Sequence, residues 1–222
     1  MSNLSMTAGS TRSGSTIVAR NAYLLLALSM IPTALAAWFG MGTGATTYMN
    51  AHPFITCGGY LGLSFLLVKL IHGTKDTPIG VMFLMVFAAV NGVLLGPILS
   101  HVLHNHVNGA QTIAVAAGST AVVLAVMASI ATVTRRNLAG LGSWLFAGLI
   151  VVLLGSIANI FLGIHALELA LGVVGSVVFA GYMLFDVNRA VTGGATSAVV
   201  VALELYLDCI NFFLLILRMI ED

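Results

Sequence analysis

The stretch SAVVVALELYLDCINFFLLILRM, residues 197–219, decides how the whole chain is read. A helix needs roughly 20 mostly apolar residues to cross a bilayer core, and this stretch is long enough and contains neither Gly nor Pro to interrupt it. It also contains Glu204, Asp208 and Asn211. At about 100° per residue, Ser197, Glu204, Asp208 and Asn211 fall within roughly 60° of one another on one helical face. A charged Asp at the centre of a membrane helix costs on the order of 2.5–3.5 kcal/mol even on a lenient insertion scale. Lipid is therefore not what that face meets, and its acids must be paired, protonated or lining water.

The rest of the chain has the same solvent. Of its 222 residues 59% are hydrophobic and 7% charged, with mean hydropathy +1.08, whereas a soluble domain carries about 25% charged residues. Eight Lys and Arg stand against seven Asp and Glu, a net charge of +1. That balance supplies neither a basic surface for nucleic acid nor an acidic disordered tail. Two cysteines, Cys57 and Cys209, exclude a disulfide framework and a four-cysteine metal site.

Hydropathy predicts spans near 20–40, 53–71, 79–103, 111–133, 141–163, 166–188 and 197–219. Seven such spans use about 140 residues and leave short loops with no room for a soluble domain. Residues 1–16, rich in Ser, Thr and Gly, are expected as a flexible cytoplasmic tail, and 17–222 as one all-α membrane domain of seven helices. The first apolar stretch is too long for the apolar region of a cleaved signal and is expected to remain as a helix. Pro53 and Pro78 begin spans, where a missing N–H costs little. Pro32 and Pro97 fall inside spans and predict kinks. For the run Asn91, Gly92, Gly96, Pro97 a second reading stays open, a break that lines a cavity. Gly172, Ser176 and Ala180 on the sixth span, and Gly58 and Gly62 on the second, recur every four residues, a spacing that lets backbones approach within the molecule or across a dimer.

Basic residues give the expected orientation. Arg12 and Arg20 lie in or beside the tail, Lys69 and Lys75 between spans two and three, Arg135 and Arg136 between four and five, and Arg189 between six and seven. These seven of the eight basic residues share one side, which the positive-inside rule makes cytoplasmic. With an odd number of spans the C-terminus ends outside. Arg218 alone departs, as a residue that snorkels at the outer interface.

Asp186 near the cytoplasmic end of the sixth span and Asp208 in the seventh are the central candidates. Two carboxyls that approach cannot both ionise cheaply and share a proton, which makes a pH-sensitive latch. Shared, the proton holds two helices together; with both acids ionised, repulsion and recruitment of a cation or an Arg favour an open arrangement. Glu204, Asn211 and Asn91 are candidate cation-binding or cavity-lining residues, and calcium suits such oxygens. The plainer alternative is that each acid bonds a neighbouring helix or a base such as Arg189 or Lys69. Measured from the start of its span, Asp208 lies roughly 16 Å deep and Glu204 about 6 Å shallower, so Glu204 is the nearer partner for Asp186 unless a helix tilts or ends later than expected. His101, His104 and His106 have a spacing that offers metal ligands, or else form a polar rim at the outer interface with His52 and His165. Tyr182, Tyr206 and Trp144 are expected as packing or interfacial residues.

The segments GYMLFDVNRA (181–190) and LELYLDCINFFLLILRMI (203–220) resemble the two closing helices of the Bax inhibitor-1 family, also called the TMBIM or lifeguard family. RNAYLLLALS (20–29), NGVLLGPILS (91–100), GSTAVV (118–123) and AGLIVVLLGSIANIFL (147–162) resemble its bacterial YccA branch. The resemblance implies six helices surrounding the seventh, and a slow calcium leak controlled by an aspartate pair that maps to Asp186 and Asp208. It implies no cofactor, with calcium as the transported ion. It also implies a base on the second helix, which maps to Lys69; a Lys there loses the bidentate fork of an Arg. Glu204 stands where a small or neutral residue is expected. The bacterial branch implies another role, binding to and modulating the FtsH membrane protease, with the tail as contact. Intramembrane aspartyl proteases also use two membrane aspartates, but their Gly-x-Gly-Asp and Tyr-Asp motifs are absent here, since Asp186 follows Phe185 and Asp208 follows Leu207. The chain is thus expected to be a non-enzymatic, multi-pass protein of the bacterial cytoplasmic membrane, of undetermined oligomeric state.

Overall fold

A computed structural model describes residues 2–42, 49, 51–134 and 136–221, with side chains from Ser15 onward apart from those of 53, 54 and 57. Among the described residues there are seven long helices and no strand: α1 Ser2–Gly42, α2 Pro53–Gly73, α3 Pro78–Asn105, α4 Gly109–Val133, α5 Ala139–Leu162, α6 His165–Val191 and α7 Ala198–Glu221. Six of them carry apolar stretches long enough to cross a membrane, α1 through its Ser15–Gly42 part; the described apolar part of α2 is the shorter Gly58–Gly73. The protein is all-α and membrane-spanning. The side chains of 2–14, where the tail is expected, lie outside the described residues.

Local sequence sets these boundaries. Pro53 and Pro78 occupy the first turns of α2 and α3, where their missing donors would be unpaired in any case. Gly163 caps α5 in the left-handed conformation, φ 63°, and its N–H donates to Asn159 O. α6 then begins two residues later, so α5 and α6 are joined by a very short turn.

The chain forms two compact units. One comprises Arg20–Ala110 with Ser197–Leu203. Here α1 and α3 meet backbone to backbone: a Cβ on Gly92 would lie 2.3 Å from Thr33 O, and one on Gly96 would lie 2.9 Å from Gly40 Cα. Thr33 Oγ1 adds a hydrogen bond to Ala88 O at 3.2 Å. α3 continues through Pro97 without a break, so the run Asn91, Gly92, Gly96, Pro97 marks a helix-packing surface and not the cavity-lining interruption. The reason is steric, because only residues without a Cβ admit the α1 backbone at this distance. Gly58 and Gly62 behave otherwise, since a Cβ on either meets nothing within 4 Å.

The other unit comprises Met1–Ala19, Gln111–Thr196 and Glu204–Asp222. In it α6 packs along α5 and α7 through glycines on both sides of the seam. Gly148 faces Val178, Gly155 faces Leu171 and Gly181 faces Leu145, while Gly172 faces Met219 and Gly175 faces Leu215. Asn188, fully buried, ties the α4–α5 connection to α6: its Oδ1 accepts from Leu138 N at 3.1 Å, and its Nδ2 donates to Arg136 O at 3.2 Å and Thr134 O at 3.4 Å.

Candidate functional site

α6 and α7 bring four ionisable side chains together within the second unit. Asp186 and Asp208 are 5% and 6% exposed, and their carboxyls are close enough for each to act on the other's charge. Asp186 lies one helical turn before Arg189, whose Nη2 is 3.9 Å from Asp186 Oδ1. The same Nη2 makes a short ion pair with Glu204 Oε2. The Phe185 ring lies under the guanidinium at 5.9 Å, a cation–π placement.

The helix boundaries narrow the depth difference posed by the sequence without closing it. α6 continues to Val191, past the expected end at 188, which puts Asp186 about 7.5 Å below its helix end, against about 15 Å for Asp208 below the start of α7 at 1.5 Å per residue. Glu204, one turn earlier on α7, is taken up by Arg189 and not by Asp186.

The cluster carries three carboxyls against one guanidinium. Asp208 Oδ2 is buried with no hydrogen-bond partner among the described residues, and so is Arg189 Nε. A buried polar group left unpaired is expensive, and two ionised carboxylates buried in one cluster repel; a proton on one lets it act as a donor. The site can therefore hold a proton.

The remaining candidates separate into bonded and unassembled groups. Arg189 is the base at the acids. Lys69 is exposed on α2, where its Nζ lies 5.5 Å over the Phe65 ring. Asn211 Nδ2 donates to Leu207 O of its own helix at 2.7 Å. Asn91, buried in the first unit, donates to Phe87 O at 2.8 Å and accepts from Tyr60 Oη at 2.9 Å, which ties α2 to α3. The histidines do not form the expected metal group. His104 Nδ1 is bonded to Ser100 O at 2.7 Å and the His101 ring to Asn105 Nδ2 at 2.8 Å. His106 lies beyond the end of α3 in extended backbone, which takes it off the helical face of the other two. Among the described residues no group of three His, Cys, Asp or Glu could hold a metal.

Sequence reasoning overlooked Asn188. The available signal was an amide in the last turn of a membrane helix, two residues after the key aspartate, that needs partners for both of its ends.

Over residues 15–222 the chain matches the family described as "Inhibitor of apoptosis-promoting Bax1". It is 34% identical over 205 residues to a protein of Escherichia coli K12 named "Modulator of FtsH protease YccA", covering 91% of this chain and 89% of that protein. The counterpart in another Escherichia coli strain, O6:H1, has the same identity and coverage and is named "Inner membrane protein YccA". A membrane protein of Vibrio cholerae is 30% identical over 196 residues, covering 88% of this chain and 85% of its own length.

Proposed function

We propose that this chain, which belongs to the Bax inhibitor-1 family, is a non-enzymatic, proton-sensitive cation leak whose latch is the carboxyl pair Asp186 and Asp208. The observation that carries this reading is the burial of two carboxyls in one cluster, one of them with an unpartnered oxygen. With a proton between them, the pair holds α6 against α7. When the proton leaves, two negative charges repel at short range, the helices separate at this level, and a cation is drawn to the negative charge of the aspartates. Arg189 pairs with Glu204, which leaves the aspartates without a full counter-charge.

The reading carries an arrangement of six helices around α7, which is supported by the burial of half of its apolar stretch. It places the N-terminus in the cytoplasm and the C-terminus outside, supported by the distribution of Lys and Arg. The inner-membrane name of a relative supports the same membrane for this chain.

Calcium flux into liposomes holding the purified protein, scanned across pH, tests the latch. One pH unit acting on one shared proton is worth about 1.4 kcal/mol, a ten-fold change in the open-to-closed ratio. Flux is expected to rise with pH by up to that factor per unit, and to lose its pH dependence in Asp208→Asn, whose amide still donates to Asp186 but cannot titrate. No flux above that of empty liposomes at any pH, with the protein folded, refutes the leak.

A second reading is that the chain modulates the FtsH protease, and it is favoured by near full-length similarity to a protein named for that role. It predicts that the chain co-purifies with FtsH and slows degradation of an FtsH substrate. Loss of both effects on removing residues 1–16, with the flux unchanged, would separate the two roles.

A further inference from the structure

At the end of the second unit remote from the aspartates, a cavity of about 490 Å³ opens where α5, α6 and α7 converge. That volume is in the range of small-molecule sites. Eighteen residues of α6 separate Glu168 from Asp186, about 27 Å along the helix at 1.5 Å per residue. A bilayer core is roughly 30 Å thick. The cavity thus sits at the membrane surface opposite the one nearest the acidic cluster, at the depth of lipid headgroups.

Its lining has two chemistries side by side. Leu215, Met219 and Ile160 form an apolar wall, and Glu168 and Arg218 stand at its polar edge beside Ser156 and Asn159. Arg218 Nη1 is 3.4 Å from Glu168 Oε1, longer than the 2.7–2.9 Å of a strong charge-assisted bond. The two side chains are 72% and 43% exposed, so each charge keeps most of its hydrogen-bonding capacity for a visitor. A guanidinium offers a planar fork that matches phosphate oxygens, and a carboxylate accepts from an ammonium.

We propose that this cavity binds an ethanolamine-phosphate group, with its phosphate on Arg218, its ammonium on Glu168, and any attached acyl chains against the Leu215 and Met219 wall. The group arrives as the headgroup of phosphatidylethanolamine or as a free molecule in the adjoining water. A phosphate without an ammonium satisfies Arg218 but leaves the Glu168 carboxylate facing it, which selects against simple anionic headgroups.

Native mass spectrometry of the purified full chain tests the site, with dioleoyl phosphatidylethanolamine and dioleoyl phosphatidylglycerol in competition and, separately, with free O-phosphoethanolamine. Retention of the ethanolamine lipid over the glycerol lipid is expected, and roughly ten-fold weaker retention in Glu168→Gln and in Arg218→Gln, the order set by one charge-assisted hydrogen bond. Ser156→Trp, which fills the cavity and leaves both charges in place, is expected to weaken it likewise. Retention of the lipid alone identifies a lipid site, and retention of free O-phosphoethanolamine identifies the headgroup as sufficient; either supports the proposal when the substitutions weaken it. Equal retention of the two lipids, indifference to all three substitutions, or retention of neither lipid nor free headgroup overturns it.

Discussion

Among the described residues Arg189 is the only base beside the three carboxyls, and replacing it or Glu204 separates an ion pair from a charge imbalance. The Arg189 and Glu204 side chains are 32% and 27% exposed, which puts their pair between the surface and the interior. Two unit charges at 4 Å attract by about 4 kcal/mol at an effective dielectric of 20. Desolvation and screening at this exposure reduce the net coupling to about 1–2 kcal/mol. Glu204→Gln removes one partner and lets the guanidinium turn to Asp186, already 3.9 Å away; the expected loss of stability is about 1 kcal/mol. Arg189→Gln leaves Asp186, Glu204 and Asp208 with no base and is expected to cost more, about 3 kcal/mol. Reversible unfolding in mixed detergent micelles, applied to the two single variants and the double variant, gives the coupling directly. A coupling below about 0.3 kcal/mol, or a Glu204→Gln variant less stable than Arg189→Gln, refutes the assignment of Arg189 as the base of the cluster.

Three further outcomes follow from the packing. Gly92→Ala is expected to destabilise by about 1–3 kcal/mol, because its Cβ would meet Thr33 O at 2.3 Å, whereas Gly58→Ala, which meets nothing, is expected to be neutral or slightly stabilising in the same unfolding measurement. Asn188→Ala removes the acceptor for the Leu138 N–H, so hydrogen exchange at that amide should quicken while amides in the middle of α6 stay protected. Tyr60→Phe deletes the hydrogen bond to Asn91 Oδ1 and should cost about 1 kcal/mol, read from the unfolding midpoint, with helical content unchanged by circular dichroism.

The seven helices, six of them long and apolar enough to cross a membrane, were legible in the sequence because the apolar runs satisfy their own backbone and are bounded by residues that resist burial or helix. Pro53 and Pro78 mark starts, and the last span, expected at 197–219, lies at Ala198–Glu221. Burial of Asp186 and Asp208 was legible for the same reason, since lipid does not tolerate a charge on a helix face. The polar stripe of 197–219 marks one face of α7 that meets protein, and Ala202, Leu203, Tyr206 and Cys209 on its other faces are buried as well.

Which partner each polar group finds is decided only by tertiary structure. α6 ends three residues later than expected, at Val191, and the turn of α6 aims Arg189 at Glu204, whereas Lys69 stacks on Phe65 of its own helix. Small residues spaced by four look alike in sequence at Gly58, Gly92 and Gly172; contact with a neighbouring helix at the last two and open space at the first follow from how the helices face one another. The cavity between Glu168 and Arg218 likewise joins residues 50 positions apart. Hydropathy and helical period act along the chain and can be read from it, but hydrogen-bond and ion-pair partners depend on distances of a few ångströms between helices, which only the folded chain sets.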